Sequence, residues 1–137
     1  MHYEPGMIWI GWITLAALVF YLATGIYVSR MRGRHGVPPP GMAGPPEFQS
    51  AFRVHSNTLE QLVPFLAALW MCAIFWVPLP AAILGIVWLF GRVIYAFGYY
   101  SAPGRRLPGF AISMIALILL MIGTAYGLFR AGLVMGA

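Results

Sequence analysis

Residues 47–77 read EFQSAFRVHSNTLEQLVPFLAALWMCAIFWV, and the fold turns on how this stretch is divided. Leu62 to Val77 is apolar, whereas Glu47 to Gln61 is polar yet free of glycine and proline. The two halves read as one long helix, amphipathic at first and then apolar enough for lipid. A bilayer core of about 30 Å takes roughly 20 apolar residues per helix. Runs of that size also occupy Met7 to Val28, Ala81 to Tyr100 and Phe110 to Leu133. The chain is expected to be an all-α, integral membrane four-helix bundle. It forms a single domain over 1–137, with transmembrane helices near 7–30, 47–77, 81–101 and 109–133.

Composition agrees. Of 137 residues, 61% are hydrophobic and only 8% charged, against roughly 25% charged in soluble domains. Three acids and eight bases cannot cover a water-facing surface. The first apolar run has no basic residue ahead of it and is too long for a secretory signal core, so it reads as an anchor. Cys72 is the only cysteine, which excludes an internal disulfide and suits packing. No metal site is expected: His55 and Glu60 lack metalloprotease spacing, and no other ligand cluster exists. A Ser–His–Asp nucleophile is excluded because the chain contains no aspartate. Gly85, Gly91, Gly123 and Gly127 read as close helix contacts rather than cofactor sites.

All eight basic residues are arginines and their distribution is lopsided. Arg30, Arg32, Arg34 and Arg53 border the first loop, Arg105 and Arg106 lie in the third, and the second loop has none. The positive-inside rule therefore puts loops one and three in the cytoplasm and both termini on the opposite side. Arginines at helix ends with no soluble module to present them do not suit nucleic acid. Residues 33–46, with Pro38, Pro39, Pro40, Pro45 and Pro46 and several glycines, form an extended cytoplasmic loop, either a structured strap or a lid.

Ionisable groups on membrane helices are costly and ask for a partner or a purpose. Arg53, Asn57 and Glu60 stand at i, i+4 and i+7, on one face of the second helix. His55 points about 200° away from Arg53 and addresses a different neighbour. On the third helix Arg92, Tyr95 and Tyr99 share a face, and Arg105 and Arg106 follow. Antiparallel neighbours bring these faces to the same end of the bundle. Glu60 neutralising Arg92 or Arg53, with the tyrosines as an interfacial belt, is one reading. The other is a cationic pocket completed by an anionic ligand, since one glutamate cannot balance Arg53, Arg92 and Arg106 together.

Specific motifs sharpen this choice. Gly44-Pro-Pro-Glu-Phe48, then Arg53-Val-His-Ser-Asn57-Thr-Leu-Glu60 and Pro64-Phe65, resembles the signature loop and second helix of the MAPEG family, the membrane-associated proteins in eicosanoid and glutathione metabolism. Tyr95-Ala-Phe-Gly-Tyr99, with Arg106 seven residues later, is similar to the third-helix end of its cysteinyl-leukotriene synthase and microsomal glutathione transferase branch. The two patterns superpose without a gap from Gly44 to Arg106.

The resemblance implies a homotrimer with glutathione bound between subunits near the cytoplasmic face. It implies that Arg53, Asn57 and Glu60 hold the tripeptide, that Arg92, Tyr95 and Tyr99 add contacts, and that Arg106 stabilises the glutathione thiolate. A second catalytic arginine matches Arg32 best, with Arg30 and Arg34 as alternatives. His55 replaces a glutamine contributed by the adjacent subunit, and Gln61 replaces a tyrosine ligand. Both changes imply a looser hold on glutathione.

The implied function is a membrane-bound glutathione transferase, with peroxide reduction as a variant, acting on a lipophilic electrophile of lipid or xenobiotic origin that enters from membrane lipid. The same fold also supports a non-catalytic lipid-binding or partner-presenting role. A proton-coupled exporter would want a carboxylate in the first helix, and Met7 to Val28 has none.

Overall fold

Proline opens every helix, at the first or second position, where its missing N–H leaves no hydrogen bond unmade. A computed structural model describes residues 4–136. It contains α1 (Pro5–His35), α2 (Pro46–Phe75), α3 (Pro78–Ser101) and α4 (Leu107–Met135). A 3-10 turn, Pro103–Arg106, leads into α4. All four helices are long and apolar enough to cross a bilayer. At 1.5 Å per residue the 31 residues of α1 run roughly 46 Å, so one end must project beyond a hydrocarbon core of about 30 Å.

That projecting end carries the arginines. α1 continues to His35, past the end expected near residue 30, because arginine is a good helix former and Gly36 supplies the actual terminator. Gly36 takes the left-handed conformation, φ 62°, and its N–H returns to Arg32 O, as does that of Val37. α2 is one unbroken helix, its polar and apolar halves joined across Pro64. Trp76 and Val77 alone connect it to α3.

The main core gathers Ile10, Ile13 and Ala17 of α1, Phe65, Leu69 and Cys72 of α2, Trp88 of α3 and Leu120 of α4. Phe65 and Trp88 stack at 3.7 Å between centroids and 4° between planes, fixing the register of α2 on α3 midway along the span. A second cluster, Val28, Met31, Val37, Phe48 and Ala51, packs the first loop onto α1 and α2. Trp9, Trp12, Val19 and Leu22 on α1 and Phe90 and Phe97 on α3 are left exposed, as lipid-facing side chains would be.

α3 and α4 approach to backbone contact. A Cβ on Gly91 would stand 2.7 Å from Ser113 N, and one on Gly109 would overlap the backbone of Tyr95. A Cβ on Gly123 or Gly127 would crowd Trp76 or the Phe75 carbonyl, and one on Gly85 would stand 3.0 Å from the Ile13 and Leu69 side chains, so the four glycines expected at helix contacts all serve there. Gly109→Val should force the two helices apart and lower stability by about 3 kcal/mol. Gly33→Ala, in open space on α1, should leave it unchanged or raise it by up to about 1 kcal/mol. Thermal unfolding in detergent measures both.

Candidate functional site

The face predicted on α2 forms one wall of a cavity at the arginine-bearing end. Arg53, Ser56, Asn57 and Glu60 line it from α2, Tyr95 and Tyr99 from α3, and Arg106 from the 3-10 turn, around a volume of about 340 Å³. Helical spacing accounts for the α2 set, since residues three, four and seven apart share a face. The contact between α3 and α4 accounts for Arg106: Gly98 packs against the Arg105 carbonyl, which draws the turn down onto the end of α3.

Several of the polar groups there are held in place. Arg106 Nη1 donates to Pro103 O at 2.7 Å, and the guanidinium lies 5.4 Å from the Tyr99 ring centroid. Tyr99 meets Tyr95 edge to face at 5.7 Å. Asn57 Nδ2 donates to Glu60 Oε2 at 3.2 Å. Arg53 and Glu60 are exposed, so the cavity offers an accessible guanidinium and an accessible carboxylate along one helix face.

Arg92 differs from its expected role. It is wholly buried, so it does not line the cavity but lies beneath it. Nη1 donates to Asn57 Oδ1 at 3.1 Å and Nη2 to Thr58 Oγ1 at 2.9 Å, and the guanidinium sits 4.1 Å from the Tyr95 ring centroid. Glu60 therefore does not neutralise Arg92 by direct contact; Asn57 stands between them.

Three further predicted residues lie elsewhere within the chain. Arg32 serves the first loop: Nη1 donates to Gly41 O at 2.6 Å and Val37 O at 3.4 Å, and the guanidinium lies 5.0 Å from the Phe48 ring centroid. With Gln49 donating to Met42 O at 2.6 Å, the loop is a tied strap. Gln61 is buried, does not line the cavity, and its Oε1 finds no partner among the described residues. His55 faces α1 on the opposite flank of α2, as its angle from Arg53 requires. It stacks on Tyr21 at 4.6 Å, and its Nδ1 meets Thr24 Oγ1 at 2.9 Å. It lines an open groove with Arg30, Ser29, Leu22 and Ile26.

Sequence reasoning missed Ser56 and Thr58. Ser56 was accessible to it, being three residues from Arg53 on the same face. Thr58 gave no signal, because a threonine that also donates to Val54 O at 2.6 Å satisfies itself like many others in membrane helices.

A model of the MAPEG family matches residues 10–126. The chain belongs to the MAPEG family. Among similar proteins, an uncharacterized protein of Synechocystis sp. is 45% identical over 117 residues, 85% of each chain. Human microsomal glutathione S-transferase 2 is 35% identical over 103 residues, 75% of this chain and 70% of that one. Leukotriene C4 synthase of Cavia porcellus is 35% identical over 116 residues, 85% of this chain and 77% of that one. With its four apolar helices, this MAPEG protein is a multi-pass integral membrane protein.

The strap yields a direct check. Arg32→Ala removes both carbonyl bonds and the stacking on Phe48, and should cost about 1–2 kcal/mol. Limited proteolysis in detergent should then cut residues 37–45 at least several-fold faster than in the parent protein.

Proposed function

We propose that this MAPEG protein is a membrane-bound glutathione transferase that holds glutathione as its thiolate and conjugates it to a lipophilic electrophile, with peroxide reduction by the same thiolate as a variant. One observation carries the reading: two arginines, a carboxylate, an amide and two tyrosines share one cavity at the arginine-bearing end of the bundle. Glutathione presents two carboxylates, one ammonium and a thiol. Arg53 suits a carboxylate, Glu60 the ammonium, and Asn57 with the tyrosines the amide backbone. Arg106, anchored over Tyr99, is left for the sulfur. The names of the relatives quoted above support the same chemistry.

A free thiol has a pKa near 8.5 and is mostly protonated at neutral pH, while the thiolate is the nucleophile. Favouring the thiolate by about 1.4 kcal/mol lowers that pKa by roughly one unit, within reach of a single guanidinium. The thiolate then attacks an electrophilic carbon arriving from the bilayer. The C–S bond forms as the electrophile's own bond breaks, and the atom that takes that electron pair is protonated from water. In the peroxide variant the thiolate cleaves the O–O bond, releasing an alcohol, and a second glutathione converts the sulfenic acid to disulfide and water.

The cavity is open, and on the other flank of the same α2 segment the groove of His55 and Arg30 is open too. Copies assembled head to tail as a homotrimer would close one against the other and deliver Arg30 and His55 to a neighbour's glutathione. Arg30 is better placed for this than Arg32, which is committed to the strap. Loops one and three face the cytoplasm in this reading, and the termini lie opposite.

Glutathione titration, followed by calorimetry and by the ultraviolet band of the thiolate, tests the proposal. Arg106→Ala should retain binding, lose the band, move the rise of activity toward pH 8.5, and lower turnover by about 100-fold. Unchanged turnover removes Arg106 from the mechanism. A parent protein that binds no glutathione leaves the non-catalytic, lipid-binding reading in its place.

A further inference from the structure

The Arg92 guanidinium lies beneath the cavity without lining it, and two features mark it as more than filler. A buried guanidinium carries a desolvation cost that its hydrogen bonds must offset, so where those bonds go is informative. Both of its forked donors are spent on adjacent residues of α2, Asn57 and Thr58, and its flat face is spent on Tyr95. Asn57 and Tyr95 line the cavity; Thr58 is wholly buried and does not.

We propose that Arg92 is the positioning residue of this site, acting through Asn57 to aim Glu60 and through its own charge to hold Tyr95. An asparagine amide can present either end to a neighbour. With Oδ1 taken by Arg92, Nδ2 must face Glu60, and it does, at 3.2 Å. One direction of hydrogen bonding thus runs from the hidden cation through the amide to the exposed carboxylate. Glu60 is thereby oriented, ready for an ammonium group, although no cation among the described residues touches it. Thr58, which accepts from Arg92 and donates to Val54 O, stops the guanidinium from rotating out of line. Arg92 Nε has no partner among the described residues, so the two Nη atoms carry the whole interaction.

The role rests on the glutathione reading for its ligand but not for its geometry, and the test separates the two. Arg92→Lys keeps the charge but cannot reach Asn57 and Thr58 with one planar fork. Thr58→Val is the milder variant, nearly equal in volume and outside the cavity. The side-chain amide of Asn57, followed by NMR in detergent, reports positioning without any ligand: its protons should exchange slowly in the parent protein and at least tenfold faster in Arg92→Lys. Glutathione affinity should fall by about tenfold in Arg92→Lys and less in Thr58→Val. The pH at which the bound thiolate forms should not move, because that property belongs to Arg106. Unchanged Asn57 exchange in both variants overturns the proposal, as does parental glutathione affinity in a variant whose Asn57 has been released. Should the parent protein bind no glutathione, the transferase reading falls, and Asn57 exchange alone decides the role of Arg92.

Discussion

The backbones of α3 and α4 touch, and the site depends on that contact. Side chains between two helices normally hold their axes apart, but glycine at positions 91, 98 and 109 removes them where the approach is closest. Without lipid-like side chains to interpose, van der Waals contact between main chains becomes the adhesive. The short turn joining the helices is then pressed against the end of α3, and Arg106 has nowhere to lie except over Tyr99. The position of the Arg106 guanidinium follows from an absence of side chains several residues away.

The arginines divide into distinct uses that composition alone could not separate. Arg53 and Arg106 line a polar cavity. Arg92 is an internal tie between two helices, matched by an amide, a hydroxyl and an aromatic face instead of by an acid. Arg32 is a clasp on the strap, binding carbonyls that a proline-rich loop cannot satisfy for itself. Three acids could never have paired with eight bases, and the structure meets the shortfall with neutral acceptors and open cavity.

Periodicity made part of this legible. Arg53, Asn57 and Glu60 declare their common face through spacing, and Tyr95 with Tyr99 does the same on α3, because a helix converts sequence interval directly into direction. Spacing also turned His55 away from them. What it could not convey was depth. Arg92 shares a face with Tyr95 and Tyr99, yet the stacking of Phe65 on Trp88 one turn away seats α3 so closely on α2 that Arg92 is sealed in. Nor could it show where Arg32 reaches, since a long side chain at a helix end chooses among loop carbonyls whose places are set only once the strap has folded. Gln61, one residue beyond Glu60 on α2, is likewise buried, and its place inside the bundle could not be read from spacing.

Thr24 settles a matter of polarity on the opposite flank. A hydroxyl has a single proton, and Thr24 gives its proton to Tyr21 O at 2.7 Å. Toward the imidazole 2.9 Å away it can only accept, so Nδ1 of His55 carries the ring hydrogen and, in the neutral ring, Nε2 keeps a bare lone pair. A glutamine amide can swap its two ends to suit either kind of neighbour; this imidazole has been wired in one sense. While the ring is neutral, a molecule that comes to rest against that nitrogen must supply the hydrogen itself.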